Sequence, residues 1–304
     1  MAVQHIVTFF STSHDVSDLI AAFKAELPNV PMSGCSTSGE LGPGGMTLGG
    51  IVAIAFPQDG FRVLSETVPG TDQAGIEKAS EIVRRMKAQI NLGPNQLSRD
   101  GVFALALIDG LSNREEMLIA ALHWSLGDIE LIGGSAGDSL AFQHTSLIHR
   151  NTPQQGGAVL FVIESHTPFK VFKTQNFEPT SIKLVVTDAD VENRIVRELN
   201  AEPAAREYAA AIGLMPDDLG PFSFASYPLV VKVGGDYYCR SIRNMNPDGS
   251  LSFFCAIDEG LVFTVARPRD LLRDTEDVLG DLDRRLGGMD LVIGFDCILR
   301  RLDA

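Results

Sequence analysis

The sequence is poor in cysteine, in basic residues and in long apolar stretches, and each shortage excludes a class of protein. The four cysteines, Cys35, Cys239, Cys255 and Cys297, lie far apart and form no C-x-x-C pair. This spacing argues against a zinc site and against a disulfide framework. Lys and Arg number 25 against 39 Asp and Glu, for a net charge of −14. Phosphate backbones and anionic lipid repel such a chain, so we expect neither nucleic acid nor a membrane as a partner.

The hydrophobic stretches are too short for export or membrane insertion. The amino terminus MAVQHIVTFF lacks the basic region and the long apolar run of a signal peptide. The longest apolar runs, such as Val102–Ile108, have the length of strands and fall well short of the roughly 20 residues that a membrane helix needs. Because the chain also lacks a disulfide framework, which suits a reducing compartment, the sequence predicts a cytoplasmic protein.

The chain is long enough for two domains. It has 304 residues, and one hydrophobic core usually serves about 100–200 residues. Runs with strand and helix periodicity alternate throughout, which predicts a mixed α/β fold. At Met215 the texture changes to MPDDLGP, typical of a linker. We therefore expect an N-terminal domain over residues 1–214 and a smaller α+β domain over residues 215–304.

The N-terminal region reads as two copies of one β-α-β-type unit, over about residues 5–56 and 102–163. In each copy an apolar strand is followed by an amphipathic helix, a glycine- and serine-rich segment and a second strand that begins after Gly-Gly. The paired landmarks are Gly34 with Gly133, Ser36 with Ser135, Gly39 with Gly137, Glu40 with Asp138, and Gly49-Gly50 with Gly156-Gly157. Ser112 or Asn113 is expected to cap the helix of the second copy.

Further elements follow from periodicity alone. The strands predicted outside the repeat landmarks are 61–68, 169–177, 181–187, 228–233, 236–243, 250–257, 260–266 and 291–298. The helices predicted there are 72–92, 201–212 and 269–286.

The repeated glycine–serine segments are the most informative candidates for a site. We call residues 34–40 (GCSTSGE) the first segment and residues 133–138 (GGSAGD) the second segment. Glycine permits a positive φ, so such a turn can aim several backbone N–H groups at one anion. The expected ligand-binding residues are Cys35, Ser36, Thr37, Gly39, Glu40, Ser135, Gly137 and Asp138. The alternative is that both segments are tight turns whose serines satisfy the local backbone.

The second segment also contains a G-x-S-x-G pattern, which in hydrolases carries a serine nucleophile. That motif requires a helix directly after the serine and a histidine base, whereas the residues that follow, DSLAFQHTSLIHR, read as loop and strand. The first segment is one residue too long for the pattern. A hydrolase using Ser135, or Cys35 activated by converging amide dipoles, is therefore the competing enzyme hypothesis. The alternative for Cys35, which the sequence favours, is a small buried residue.

Arg240 and the histidines complete the set of candidates. Arg240 lies on a predicted strand and could bind a carboxylate in bidentate fashion, or pair with a surface acid. The six histidines show no metal-ligand spacing, and no P-loop, H-E-x-x-H or dinucleotide-binding fingerprint is present.

Several motifs together resemble the FIST sensory domain family. They are GCSTSGELGPGG, GGSAGDSLAF, Tyr-Pro-Leu at 227–229, and GGDYYCRSIRNMNPDGSLSFFCAIDEG. The resemblance covers nearly the whole chain and implies an N-terminal and a C-terminal FIST portion. It implies a non-enzymatic input module of bacterial signal transduction that binds a small ligand such as an amino acid. The partner would be a histidine kinase or a cyclic-di-GMP enzyme such as a diguanylate cyclase, and a homodimer is one expected form.

The final residues, Phe295 to Leu302, resemble the haem-binding, nitric-oxide-sensing branch of that family, known as NosP. Family members usually continue beyond this point, so the C-terminal portion is expected to be truncated at Ala304. The resemblance implies haem as a cofactor, with His14 and His144, beside the two segments, as axial candidates. A third hypothesis is a plain docking module whose segments are only structural.

Overall fold

The chain folds into two compact units. A computed structural model describes residues 2–70, 73–90, 101–112, 114–138, 141 and 143–297, with the backbone alone for residues 73–76. Unit 1 comprises Met1–Val171 and unit 2 comprises Phe172–Ala304. Helices and sheets occur in both units, which confirms the predicted mixed α/β class.

The first half of unit 1 begins with a β-α-β motif. Its elements are β1 (Val3–Ser11), α1 (Val16–Glu26), β2 (Met32–Thr37), β3 (Glu40–Gly42), β4 (Gly45–Thr47), β5 (Ile51–Pro57), β6 (Phe61–Val68) and α2 (Gln73–Gln89). Helix α1 starts where it does because the carboxylate of Asp15 accepts hydrogen bonds from the backbone N–H groups of Ser17 and Asp18, at 2.8 and 3.0 Å. These contacts satisfy two donors that a helix start leaves open.

The second half repeats this order. Its elements are β7 (Val102–Ile108), α3 (Glu115–Leu126), β8 (Leu131–Ser135), β9 (Leu147–His149), β10 (Thr152–Gln154) and β11 (Ala158–Ser165). Arg114, rather than Ser112, occupies the N-cap position of α3 and makes no side-chain capping bond. The cap predicted at Ser112 is therefore wrong, and Asn113 lies outside the described residues.

Both halves share one set of strand pairings. Strand β1 runs parallel to β2 and antiparallel to β5, and β7 runs parallel to β8 and antiparallel to β11. The register is also the same, because Phe10 faces Ser36 in one sheet and Ile108 faces Ser135 in the other. Gly34 and Gly133, and likewise Ser36 and Ser135, therefore occupy equivalent positions in the two sheets.

The two sheets of unit 1 exchange strands. One sheet has the order β10-β9-β2-β1-β5 and the other the order β6-β11-β7-β8, while β3 and β4 form a separate hairpin. Strand β6 comes from the first half but pairs with β11 of the second, and β9 comes from the second half but pairs with β2 of the first. Each sheet is therefore completed by a strand from the other half.

The sheets of unit 1 lie between helices. Helix α1 packs Leu19 and Ile20 against Ile6 of β1, and α2 and α3 cover the alternate residues of β7. The remaining residues of β7 are also buried, so both faces of this sheet are covered. The ring of His5 on β1 meets Phe161 on β11 edge to face, with 5.6 Å between centroids, which brings the two sheets into contact. The order of layers is helix, sheet, sheet, helix.

Unit 2 is built on one eight-stranded sheet, in which β14 pairs with β13 beside the main path β16-β15-β19-β12-β13-β18-β17. Its strands are β12 (Phe177–Asp190), β13 (Ile195–Leu199), β14 (Glu202–Pro203), β15 (Leu229–Val233), β16 (Asp236–Arg240), β17 (Ile242–Met245), β18 (Leu251–Phe253) and β19 (Val262–Pro268). Its helices are α4 (Ala204–Ile212), a 3₁₀ turn (Pro216–Asp218), α5 (Pro221–Ser226) and α6 (Leu271–Leu286). The buried Tyr208 of α4 donates to the carbonyl of Tyr227 at 2.9 Å, which fixes α4 to the segment that enters the sheet.

Two predicted strands are wrong. Residues 169–176 form no strand, and the ring of Phe169 instead packs 4.8 Å from that of Phe103. Residues 291–297 form no strand either, and Ile298 lies outside the described residues. Leu291 and Val292 are exposed. This apolar run has the composition of a strand, but it pairs with no strand among the described residues.

The predicted strand at 250–257 is shorter in the structure, where β18 ends at Phe253. The predicted strand at 236–243 is divided at Ser241 into β16 and β17. Met215, where the sequence predicts a domain boundary, lies in unit 2 between α4 and α5. That boundary stays a prediction.

Candidate functional site

The glycine–serine segments lie at the carboxyl ends of β2 and β8. The sequence predicts turns after the strands, but Gly34 and Ser36 lie within β2, and Gly133 and Ser135 lie within β8. The chain leaves the strands only after Thr37 and after Ser135. The glycines at the start of each segment therefore belong to the sheet and not to a turn.

The need for glycine at these positions comes from close packing of parallel strands. A Cβ on Gly34 would lie 1.9 Å from the carbonyl oxygen of Thr8, and a Cβ on Gly133 would lie 1.9 Å from that of Ala106. Any side chain would collide with the neighbouring backbone. The same constraint therefore acts at equivalent places in both halves.

The two segments touch each other. The backbone N–H of Gly137 donates to the carbonyl of Ser36 at 3.0 Å. A Cβ on Gly137 would lie 2.5 Å from Oγ of Ser38. This contact brings the carboxyl ends of β1 and β2 next to those of β7 and β8, within unit 1.

Ser36 is used to hold the exchanged strand. It is buried, its N–H donates to the carbonyl of Ser146 at 2.9 Å, and its hydroxyl accepts from the N–H of Ser146 at 3.0 Å. This pair of bonds docks the start of β9 onto β2. The contacts of Ser36 thus correspond to the structural alternative left open by the sequence.

The acids that end the segments organise the loops that follow. The buried carboxylate of Glu40 accepts from Oγ1 of Thr37 at 2.6 Å and from the N–H of Gly50 at 3.0 Å. The buried carboxylate of Asp138 accepts from the N–H groups of Gln143 and His144 at 2.6 and 2.9 Å. Both acids therefore stabilise a loop through charge-assisted hydrogen bonds.

Some groups of the segments remain accessible. Ser135 is exposed, and Thr37, Gly39 and Gly137 are half-buried. Within the described residues, the hydroxyl of Ser135 has no hydrogen-bond partner. Ligands of α/β proteins commonly bind beyond the carboxyl ends of parallel strands. The polar edge around Ser135 is the part of the predicted site that a ligand can reach.

The hydrolase hypothesis requires a histidine base beside Ser135 or a reactive thiol at Cys35. No histidine of the described residues lies within hydrogen-bond distance of Oγ of Ser135. Burial raises the pKa of the Cys35 thiol to about 12, so almost no thiolate forms near neutral pH. Cys35 is only 3% exposed, which agrees with its interpretation as a small buried residue.

The histidines predicted as haem ligands have other contacts. A ring nitrogen of His14 lies 3.0 Å from the carbonyl oxygen of Gly49. The ring of His144 is exposed, and its Nε2 lies 3.5 Å from Oγ of Ser146. The cavities of about 280 Å³ in unit 1 and about 200 Å³ in unit 2 contain neither residue and lie below the usual range of about 300–1,000 Å³ for ligand pockets. These residues do not fit a haem, and we derive no chemistry from one.

Arg240 lies on β16 in unit 2. Its guanidinium donates to the carbonyl of Cys239 at 3.1 Å, while its buried Nε has no acceptor within the described part of the chain. No acid pairs with it there, so the ion pair that the sequence left open is not formed among those residues. Arg240 as a ligand-binding residue stays a prediction.

Sequence reasoning missed the cavity of unit 2. Tyr237, Tyr238, Cys239 and Cys297 are among its lining residues. The ammonium of Lys173 lies 4.2 Å from the ring centre of Tyr238 and donates to the carbonyl of Tyr237 at 3.2 Å. The adjacent tyrosines are a visible signal, but Lys173 comes from a segment that the sequence predicts as a strand.

Sequence reasoning also missed the cavity of unit 1. This cavity lies at the amino end of β1, and its polar lining includes Gln4, His5, Ser65 and Arg150. A signal was available: His5 interrupts the apolar strand of the first half, whereas Phe103 occupies the corresponding position in the second half.

Comparisons with known proteins identify both portions of the chain. The family model of the FIST N domain matches residues 4–202, and that of the FIST C domain matches residues 204–303. An uncharacterized protein of Methanocaldococcus jannaschii is 26% identical over 187 residues, which cover 61% of this chain and 36% of that protein. The match thus spans about a third of the length of this relative. No solved structure matches the chain. No helix among the described residues is long and apolar enough to cross a membrane.

Proposed function

This chain belongs to the FIST family of sensory domains of signal transduction, and on that premise we propose that it senses a small polar ligand. The ligand binds in unit 1 at the joined carboxyl ends of β1, β2, β7 and β8. The chain acts in the cytoplasm and passes the signal to a partner such as a histidine kinase or a cyclic-di-GMP enzyme. The reaction chemistry belongs to the partner, and we assign no catalytic role to the described residues of this chain.

The observation that carries this proposal is the hydrogen bond between Gly137 and Ser36. It joins two equivalent strand ends, each followed by a loop held by a buried acid. The accessible groups beside it are the hydroxyl of Ser135, the half-buried Thr37 and the backbone of Gly39. These groups offer hydrogen bonds to a small polar molecule and little apolar surface.

A ligand at this edge could alter the contact between the halves. A ligand shifts a conformational equilibrium only by its difference in affinity for the two states. The edge is formed by both halves of unit 1, so a molecule that binds Ser135 and Thr37 together favours the state in which the segments touch. Binding would in this way change the arrangement of the two halves, and a partner protein could bind the two arrangements with different affinity.

Thermal unfolding in the presence of small metabolites tests the proposal. A ligand present at 100 times its Kd should add about 2.7 kcal/mol to the free energy of unfolding. Ser135→Val, which removes the exposed hydroxyl, should abolish the shift. Ser181→Ala, at an exposed serine of unit 2, should retain it.

Other outcomes would replace this function. If no metabolite stabilises the chain and added haem gives a Soret band, a haem-based gas sensor becomes the better explanation. Labelling of Ser135 by a fluorophosphonate would support the hydrolase instead. Binding that is unchanged in Ser135→Val would remove the carboxyl-end edge as the site.

A further inference from the structure

The cavity at the amino end of β1 is enclosed by several elements of unit 1. It measures about 280 Å³, and its polar lining residues are Gln4, His5, Ser65, Glu66, Gln89 and Arg150. His5 lies at one end of β1 and Ser11 at the other. At about 3.3 Å per residue these ends are roughly 20 Å apart, so this cavity is separate from the carboxyl-end edge.

The hydrogen-bond network fixes which nitrogen of His5 carries the proton. Oγ of Ser33 accepts from the N–H of Arg150 at 3.0 Å and lies 3.1 Å from Nε2 of His5. Ser33 is fully buried, and its hydroxyl has no other acceptor within the described residues. Its proton must therefore go to Nε2, because an unsatisfied buried hydroxyl is costly. The proton of the neutral imidazole then lies on Nδ1.

Nδ1 of His5 is a donor without an acceptor. No hydrogen bond to it occurs among the described residues, although only 3% of His5 is exposed and the residue lines the cavity. Burial, together with the charges of His149 and Arg150, lowers the pKa of His5 to about 4, so the ring is neutral near neutral pH. A buried N–H group needs an acceptor, and a ligand in the cavity that His5 lines would supply one.

Gln4 and Arg150 supply further donors to the same space. Oε1 of Gln4 accepts from the N–H of Val63 at 3.0 Å, which turns its amide group into a donor toward its surroundings. Within the described part of the chain, the guanidinium of Arg150 forms no ion pair. The one carboxylate of the lining, Glu66, is paired with Arg85 at 3.3 Å.

The backbone holds Arg150 in an unusual conformation. Arg150 and Asn151 form the two-residue turn between β9 and β10, and both have positive φ, at 49° and 62°. Such turns normally use Asn or Gly, because other side chains are strained there. Asn151 accepts from the N–H of Met32 and donates to the carbonyl of Val30, so the turn is fixed against the first sheet.

We propose that this cavity is a binding site for a small organic carboxylate, held by Nδ1–H of His5, the amide of Gln4 and the guanidinium of Arg150. Among the described lining residues the donors outnumber the free acceptors, and Arg150, the one cation of this lining, forms no ion pair with them. Arginine binds carboxylates in bidentate fashion. Ser65, whose Oγ lies 3.0 Å from Nε2 of His149, adds a hydroxyl for a second polar group.

Titration with succinate tests the site in the full chain. Calorimetry should show binding, and the Nδ1 resonance of His5 should shift in ¹⁵N spectra of the imidazoles. Succinamide, which is similar in shape but uncharged, should not bind. Arg150→Asn keeps a residue that tolerates positive φ and should weaken succinate binding at least about tenfold. Arg84→Gln removes an equal charge from the exposed face of α2 and should leave binding unchanged.

Three results would overturn the site. They are equal binding of succinamide, unchanged binding in Arg150→Asn, and no binding of succinate, which would mean that the cavity holds water only. Ser135→Val should leave succinate binding intact, so this proposal and the proposed function can fail separately.

Discussion

The two halves of unit 1 share strand order and register but differ in what they bury. In the first half, β1 and β2 each carry a buried polar residue, His5 and Ser33. The equivalent positions of the second half, by strand register, are Phe103 and Ile132. A buried polar group requires a partner, so the first sheet depends on specific hydrogen bonds where the second depends on close packing. Polar groups with unused bonding capacity, such as Nδ1 of His5, are therefore expected in the sheet that contains β1 and β2.

The largest expected effect comes from a feature that the halves share. Gly34→Ala and Gly133→Ala should each lower the free energy of unfolding by about 3 kcal/mol or more, because the new Cβ would lie 1.9 Å from a carbonyl oxygen. Gly133→Ala should cost more, since its φ of 148° disfavours other residues. Urea unfolding measures both. The control is Gly44→Ala, where no atom lies within 4 Å of a Cβ. Equal stability of Gly133→Ala and the native chain would show that the halves do not share this constraint.

A pH dependence should separate the two sheets of unit 1, because His5 and His149 both lie in the sheet that contains β1 and β2. Burial lowers the pKa of His5 from 6.5 to about 4. Between these two pH values, His5 is protonated in the unfolded chain and neutral in the folded chain. Stability should therefore be complete above pH 6.5 and fall by about 3 kcal/mol as the pH drops to 4. The pKa of His149 is lowered as well, mainly by burial, which adds to the same loss.

His5→Phe, which gives β1 the residue of β7, tests this origin of the pH dependence. It should reduce the difference between unfolding free energies at pH 6.5 and pH 4. His166→Phe, at an exposed histidine, should leave the difference as it is. An unchanged difference in His5→Phe would place the pH dependence elsewhere in the chain.

The smallest effect concerns the acids that end the two segments. Glu40→Gln and Asp138→Asn each replace a carboxylate that accepts bonds from backbone N–H groups, and each should lower the unfolding free energy by about 2 kcal/mol. Thermal unfolding of both variants, beside Asp59→Asn at an exposed site, gives the comparison. A loss in only one variant would show that the loops have diverged in function although their positions correspond.

Local patterns predicted much of the fold because many strands and helices of this chain keep a regular spacing of apolar residues. The bounds of β6 and β7 agree with the predicted 61–68 and 102–108, and α4 ends at Ile212, the last residue of the predicted helix. The pairing of β6 with β11 and of β9 with β2 could not be predicted, since it joins residues more than a hundred positions apart or in different copies. No local pattern encodes such a choice.

The candidate site was predictable only in part. Repetition of glycine, serine and an acid located the segments, and the segments do lie side by side. Their hydrogen-bond partners, such as Ser146 for Ser36 and Gly50 for Glu40, depend on tertiary structure. The positive φ of Arg150 could not be predicted either, because it follows from the turn that joins β9 to β10.

The docking of β9 onto β2 has a consequence for synthesis on the ribosome. Ser36 and Ser146 are 110 residues apart, so the free edge of β2 emerges long before its partner exists. At about 5–20 residues per second, that edge waits roughly 5–20 s. During this interval the nascent chain exposes unpaired backbone groups at the edge of β2, next to an apolar sheet. We expect a chaperone that binds unpaired strand edges to bind the nascent chain at this edge.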